Sequence, residues 1–225
     1  MARVNYNVIA QKYRNVGKGN VRLTQSSLFL TKPINPNVTT YNFDVLETQT
    51  ASLQADEIRL NLNDEFIITQ IGMYLVGNIN GSPGRILLTT PPYELNTTSA
   101  DKLSDFYAGA FKIAINNIVY MEKWDTSKHQ VTGTTQFQSF QVGVAVAPTF
   151  AEKNLAKDGM YGVEPMITLS GAKKNDLVLQ LPAAITAGSF TWSDYSGGMG
   201  NTINIDRVGL MLRGFNAQNG ATFQG

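Results

Sequence analysis

Short runs in which every second side chain is apolar, each closed by glycine, proline or asparagine, recur from residue 21 almost to the C-terminus. A period of two is the repeat of a pleated strand, whose successive side chains point to opposite faces. An amphipathic helix would instead place its apolar residues three and four apart. In DEIRLNLNDEF, Ile58, Leu60 and Leu62 fall on one face and Arg59, Asn61 and Asn63 on the other, which predicts a half-buried strand. Val208, Leu210 and Leu212 repeat the pattern near the C-terminus, and Phe111, Ile113 and Ile115 alternate with Lys112, Ala114 and Asn116.

The punctuation between these runs sets their number. VRLTQSSLFL is stopped by Pro33 and Pro36, because proline cannot donate to a ladder. TYNFDV follows, and FIITQIGMYLVG reads as a more buried strand ending in the turn NINGSPG, residues 78 to 84. RILLTT is closed by Pro91 and Pro92, and IVYMEKW starts after the pair Asn116-Asn117. EPMITLSGAKKNDLVLQLPAA, residues 164 to 184, predicts a β-hairpin around SGAKKND. One short helix is predicted over residues 99 to 109: Ser99 caps it, Asp101 sits in its first turn, Leu103, Phe106 and Tyr107 share a face, and Gly109 ends it. Residues 125 to 162 read mainly as a long polar loop, with FQVGVAVAP a candidate strand and AEKNLAKDG a candidate helical turn. GSFTWSDYSGGMGNTIN reads as a second, glycine-rich loop. Eight or nine strands with few helices predict an all-β fold: a two-sheet jelly-roll sandwich of about eight strands, one short helix and long loops. A chain of 225 residues fits one such domain, here residues 21–219, between an N-terminal arm (1–20) and a polar tail (220–225).

Charge separates the arm from the body. Residues 1 to 43 hold Arg3, Lys12, Arg14, Lys18, Arg22 and Lys32 and no acid, whereas the remainder holds five more acids than bases. Asn5, Asn7, Asn15, Gly17 and Gly19 interrupt any helical period, so residues 1–20 read as a loose extension. Arg3, Lys12, Arg14, Lys18 and Arg22, with Tyr6 and Tyr13 among them, are the candidate contacts for nucleic acid, through charge and base stacking. An anionic membrane surface is the other partner this set suits. Charged residues make up only 16% of the chain, well below the roughly 25% of ordinary domains, and amides and hydroxyls take their place. Such a surface costs less to desolvate against copies of itself than one of lysine and glutamate. The opening residues lack a continuous apolar core, so no secretory leader is expected, and no run approaches a membrane span.

Chemistry-bearing patterns are sparse. With no cysteine and a single histidine, a sulfur- or histidine-based metal site is not expected. His129 lies among polar residues in KWDTSKHQ and is expected on a surface loop. Neither Asp64-Glu65 nor Asp194 falls in a calcium-loop pattern. Asp56-Glu57 and Asp64-Glu65 are adjacent pairs, which point to opposite faces of a strand and cannot flank one bond together. Glu47, Glu94, Glu122 and Glu164 form a catalytic set only if folding brings them together. The glycines of YSGGMGN match no phosphate-binding pattern. Tyr93, Tyr107, Trp124, Trp192 and Tyr195 are read as core and subunit-contact aromatics, or else as a sugar-stacking platform. No catalytic residue, cofactor or metal is assigned, and the chain is expected not to be an enzyme.

The spread of VRLTQSSLFL, DEIRLNLNDEFIITQIGMYLVG, EPMITLSGAKKNDLVLQLP and VGLMLRGFNAQN resembles the jelly-roll capsid proteins of tailless icosahedral bacteriophages, including small phages with an internal membrane. The resemblance covers roughly residues 21 to 219 and lies in overall pattern, without a diagnostic motif. Double-barrel members of that group are generally longer, so one jelly roll per subunit is the expectation, with two very compact barrels as the lesser option. The resemblance further implies a virion protein assembled in the host cytoplasm, whose partners are copies of itself, other virion proteins, and genome or internal membrane through the arm. A carbohydrate- or receptor-binding β-sandwich, such as a fibre or accessory head protein, is the alternative expectation.

Overall fold

The computed structural model describes residues 6–15, 21–47, 57–79, 86–88, 105–130, 159–185, 188–192 and 201–221. They form a helix α1 (Tyr6–Asn15), ten strands and a short 3-10 turn. The strands are β1 (Arg22–Pro33), β2 (Thr40–Phe43), β3 (Glu65–Ile79), β4 (Ile86–Leu88), β5 (Ala110–Ile115), β6 (Ile118–Asp125), β7 (Met160–Ser170), β8 (Asn175–Gln180), β9 (Gly188–Trp192) and β10 (Asn201–Gln218), with the 3-10 turn η1 at Thr126–His129.

Eight of the strands build a jelly roll. One sheet runs β1-β10-β3-β7 and the other β2-β8-β5-β6, every pair antiparallel. The central strands β3 and β10 outrun their neighbours, and β4 and β9 continue the two outer positions of the first sheet. Between the sheets lies a single core. Phe66, Ile68, Ile71, Met73 and Leu75 of β3 and Val208, Leu210 and Leu212 of β10 meet Phe111, Ile113 and Ile115 of β5 and Leu177 and Leu179 of β8. The period-two faces of β5 and β10 are therefore the buried ones.

The connections sort by end. At one end the chain turns tightly: Asn116 and Asn117, both at positive φ, join β5 to β6, and residues 171–174 join β7 to β8. A two-residue turn needs that left-handed backbone at both centres, which asparagine tolerates. At the other end β3, β6 and β8 finish and β5, β7 and β10 begin.

Three expectations change. Residues 164–184 are not a hairpin, because β7 and β8 belong to different sheets and the SGAKKND turn carries the chain from one to the other. Asn175 holds that crossing by donating to the carbonyls of Ser170 and Lys173. The arm is not loose over its described part. Ile9 and Tyr13, four residues apart, bury on the outer face of the first sheet against Ile67 and Ala217, with Val21, Leu23 and Phe215 alongside. Packing of this stripe stabilises a helix that asparagine-rich propensity would not. The expected glycine-rich loop contributes β9 and the start of β10. Of the predicted 99–109 helix, residues 105–107 are described and are helical, with Phe106 and Tyr107 buried. The candidate strand at 140–148 and the candidate turn at 151–159 lie outside the described residues except Gly159.

Candidate functional surfaces

The two long sides of the sandwich are finished differently. On the β1/β2 side, the segment 57–60 sutures the sheets. Phe29 and Ile58 exchange both backbone bonds at 2.9 Å, and Leu60 N–H then donates to Val45 O at 2.8 Å. Glu57, buried, accepts from both the N–H and the hydroxyl of Thr31, at 2.7 and 2.9 Å. Its other oxygen pairs with Arg59 at 2.9 Å, both side chains being 2% exposed. Lys32 and Asp44 add an ion pair at 2.6 Å across the same side.

This clasp overturns part of the face expected for DEIRLNLNDEF. Glu57, Arg59 and Leu60 are buried, while Ile58 is 47% and Leu62 45% exposed. The expected half-buried strand is instead two isolated bridges, at Ile58 and Leu60, followed by a turn. Leu60 faces the core as its alternation predicts, whereas the bonds of Glu57 to Thr31 and Arg59 draw those two charged side chains inward and leave Ile58 and Leu62 outside.

Among the described residues, the β6/β7 side has no such cover. Among the described residues, β6 pairs only with β5 and β7 only with β3. Ile118, Val119 and Tyr120 of β6 are 61%, 45% and 56% exposed, and Met166 of β7 is 39% exposed. An edge of this kind offers a row of backbone donors and acceptors to another chain.

At the end of β6 lies a buried polar cluster. His129 is 0% exposed, which corrects the expected surface loop. Trp124 Nε1 donates to His129 Nε2 at 2.7 Å, and His129 Nδ1 stands 2.7 Å from Gly159 O. Tyr161 meets the imidazole edge-on at 5.4 Å, and Lys128 Nζ lies 4.6 Å over the Trp124 ring. Burial holds the imidazole below its ordinary pKa and Lys128 adds to this, against the opposing pull of the Gly159 carbonyl and Asp125. The sequence offered no signal for this cluster, since its three members are 5 to 35 positions apart and joined only by the fold.

Of the basic candidates, the side chains of Lys12 and Arg22 are described, and these two lie apart. Arg3 and Lys18 lie outside the described residues. Arg14 lies in α1, and its side chain is outside them too. Lys12 is exposed, donates to Thr168 Oγ1 of β7 at 3.2 Å and sits 5.5 Å over the Tyr13 ring. Arg22 is exposed on β1, at the opposite edge of the sheet. Three strand spacings, roughly 14 Å, separate those edges. The helix is also pinned by a buried bond from Tyr13 Oη to Glu65 at 2.8 Å. Burial, then the bond to Glu65 and its charge, push the Tyr13 phenol far above its ordinary range.

The carboxylates are likewise dispersed. Glu47 follows β2 and accepts from Asn61, whereas Glu122 and Glu164 lie on β6 and β7 across the molecule. Glu94 and Asp194 are outside the described residues. Among the described residues, no three acidic or histidine side chains gather into a metal-holding group. No described helix is long and apolar enough to cross a membrane. Of the aromatic platform, Tyr107 is buried and donates to Met73 O, and Trp124 is half-buried and tied to His129. The side chains of Tyr93, Trp192 and Tyr195 lie outside the described residues. Comparison with protein-family models, curated proteins and solved structures finds no match to this chain.

Proposed function

We propose that this chain is a structural subunit that associates with copies of itself into a shell, as a virion capsid protein does. The observation that carries the reading is the β6 edge, uncovered among the described residues, with three consecutive large apolar side chains exposed, on a body whose opposite side is sutured. Natural sheets blunt such edges with charge, proline or a covering segment. Here Glu122 and Lys123 stand only at the far half of β6. The jelly-roll order supports the reading without deciding it, since one fold hosts many functions. The weakly charged, amide-rich exterior supports it further, because that surface is inexpensive to bury. Of the candidate basic set, Lys12 and Arg22 are the members with described side chains, on a docked helix and a strand end, and an anionic partner, genome or lipid, would meet them there.

Light scattering and negative-stain electron microscopy of the purified protein over a range of concentration and salt test the proposal. Concentration-dependent particles of uniform size are expected. A monomer under every condition contradicts it. The alternative, a glycan-binding sandwich, is favoured by no described feature, since Trp124 is already engaged by His129 and Lys128.

A further inference from the structure

Trp124 is next to last in β6 and Gly159 precedes β7, so the chain leaves and rejoins the sandwich at one place. His129 ties the two together. An indole nitrogen only donates. Its 2.7 Å bond therefore fixes Nε2 of His129 as the bare acceptor and leaves the single ring proton on Nδ1, which donates to Gly159 O. Gly159 stands at φ 71, a backbone that side-chain-bearing residues rarely adopt, and presents its carbonyl to the ring from there. The neutral imidazole thus uses both nitrogens. A second proton has one place to go, Nε2, where it would face the indole N–H donor to donor. The bond to Gly159 survives protonation and becomes charge-assisted. The loss therefore falls on the Trp124 contact alone.

We propose that His129 is an acid-released clasp: proton uptake at Nε2 expels the Trp124 indole and frees the end of β6 from the start of β7, while the imidazolium stays on Gly159. The charged groups around the ring set how the clasp opens. Lys128 of η1 lies over the indole, so the new imidazolium repels it in the same direction as the indole. Asp125 at the end of β6 attracts the imidazolium and assists uptake. η1 packs on β7 and β3. From β7, Tyr161 presents its ring edge, and the other titratable group of that strand is Glu164. β3 carries only Glu65 and Tyr74 as titratable groups, and Glu65 lies at the opposite end of the sandwich, bonded to Tyr13.

The chain has one histidine, so 15N-histidine labelling reports this ring without assignment. In a Trp192→Phe background, tryptophan emission reports Trp124 alone, because the chain has two tryptophans. The expected result is a neutral Nδ1–H tautomer at pH 7.5. On acidification, formation of the imidazolium coincides with a reversible red shift of emission, while the far-ultraviolet circular dichroism stays unchanged. His129→Gln keeps an acceptor and a donor without a titrating group, and its emission is expected to stay flat over the same range. The proposal is overturned by an Nε2–H tautomer at neutral pH, by an imidazolium that forms with no change in emission, by global unfolding before protonation, or by a His129→Gln response equal to that of the parent. Where His129→Gln fails to fold, the paired nitrogen and emission titrations of the parent chain still decide.

Discussion

The β1/β2 side and the β6/β7 side of this sandwich solve the same problem in opposite ways. Both end in strands whose outward N–H and C=O groups need partners. On the first side a returning segment supplies them, with Ile58 completing β1 and Glu57 capping Thr31. On the second, among the described residues, nothing in the chain does so, and Ile118, Val119 and Tyr120 face water. Among the described residues, one edge carries a buried ion pair and the other leaves apolar side chains exposed; in the proposed reading the second edge is the one a further copy of the chain covers.

The largest expected effect comes from breaking the closed side. Glu57→Ala takes from buried Arg59 its closest carboxylate, leaving the longer 4.0 Å pair with Asp44, and removes the acceptor of Thr31. Losing one member of a buried pair costs about 3–5 kcal/mol. Urea denaturation should show that loss as a lower midpoint. A change below about 1 kcal/mol would mean the suture is ornamental, since surface substitutions alone stay near that size.

A smaller effect is expected where α1 docks. Tyr13→Phe removes the buried donor to Glu65. The expected cost is about 1–3 kcal/mol, the desolvation penalty of a buried polar group that loses a partner. Because that bond holds a helix and not the suture, the loss should add to that of Glu57→Ala in the double variant; strong coupling in a double-mutant cycle would show that the two regions are not independent.

Acidification gives a third contrast. The folded chain holds His129 below its ordinary pKa of 6.5, so the unfolded chain binds the proton first. Stability from the neutral ring is complete above pH 6.5 and falls as the pH drops through the depressed folded value. Denaturation midpoints measured stepwise below pH 6.5 should decline more steeply for the parent than for His129→Gln. Parallel curves would remove His129 from the account.

How much of this was legible in the sequence depends on whether a signal was local. Alternation in Phe111–Ile115 and Val208–Leu212 named core faces that the fold confirms, because a strand with one side in the core has no other way to be written. Pro33 ends β1 and Asn116-Asn117 makes a turn for equally local reasons. DEIRLNLNDEF failed in part because its inward face is chosen by partners far along the chain, Thr31 and Phe29, which no window around residue 59 contains. The hairpin at 164–184 failed similarly: its turn is real, but whether two strands pair or part to different sheets is decided by β3 and β5. Residues 6–15 were misjudged because the support of α1 comes from Ile67 and Ala217. His129 was invisible as a buried group, since Gly159 and Trp124 become its neighbours only in the fold.

The smallest expected effect on stability belongs to the open edge, and the central claim rests there. Val119→Lys places a charge on an exposed position of β6, where substitution should move stability by no more than about 0.5 kcal/mol. Particle mass by light scattering, for parent and variant at matched concentrations, is the most direct measurement. Large particles from the parent and dispersed subunits from the equally stable variant are what an edge built for a second copy produces. Identical mass distributions for the two proteins, whether both assembled or both monomeric, would contradict it.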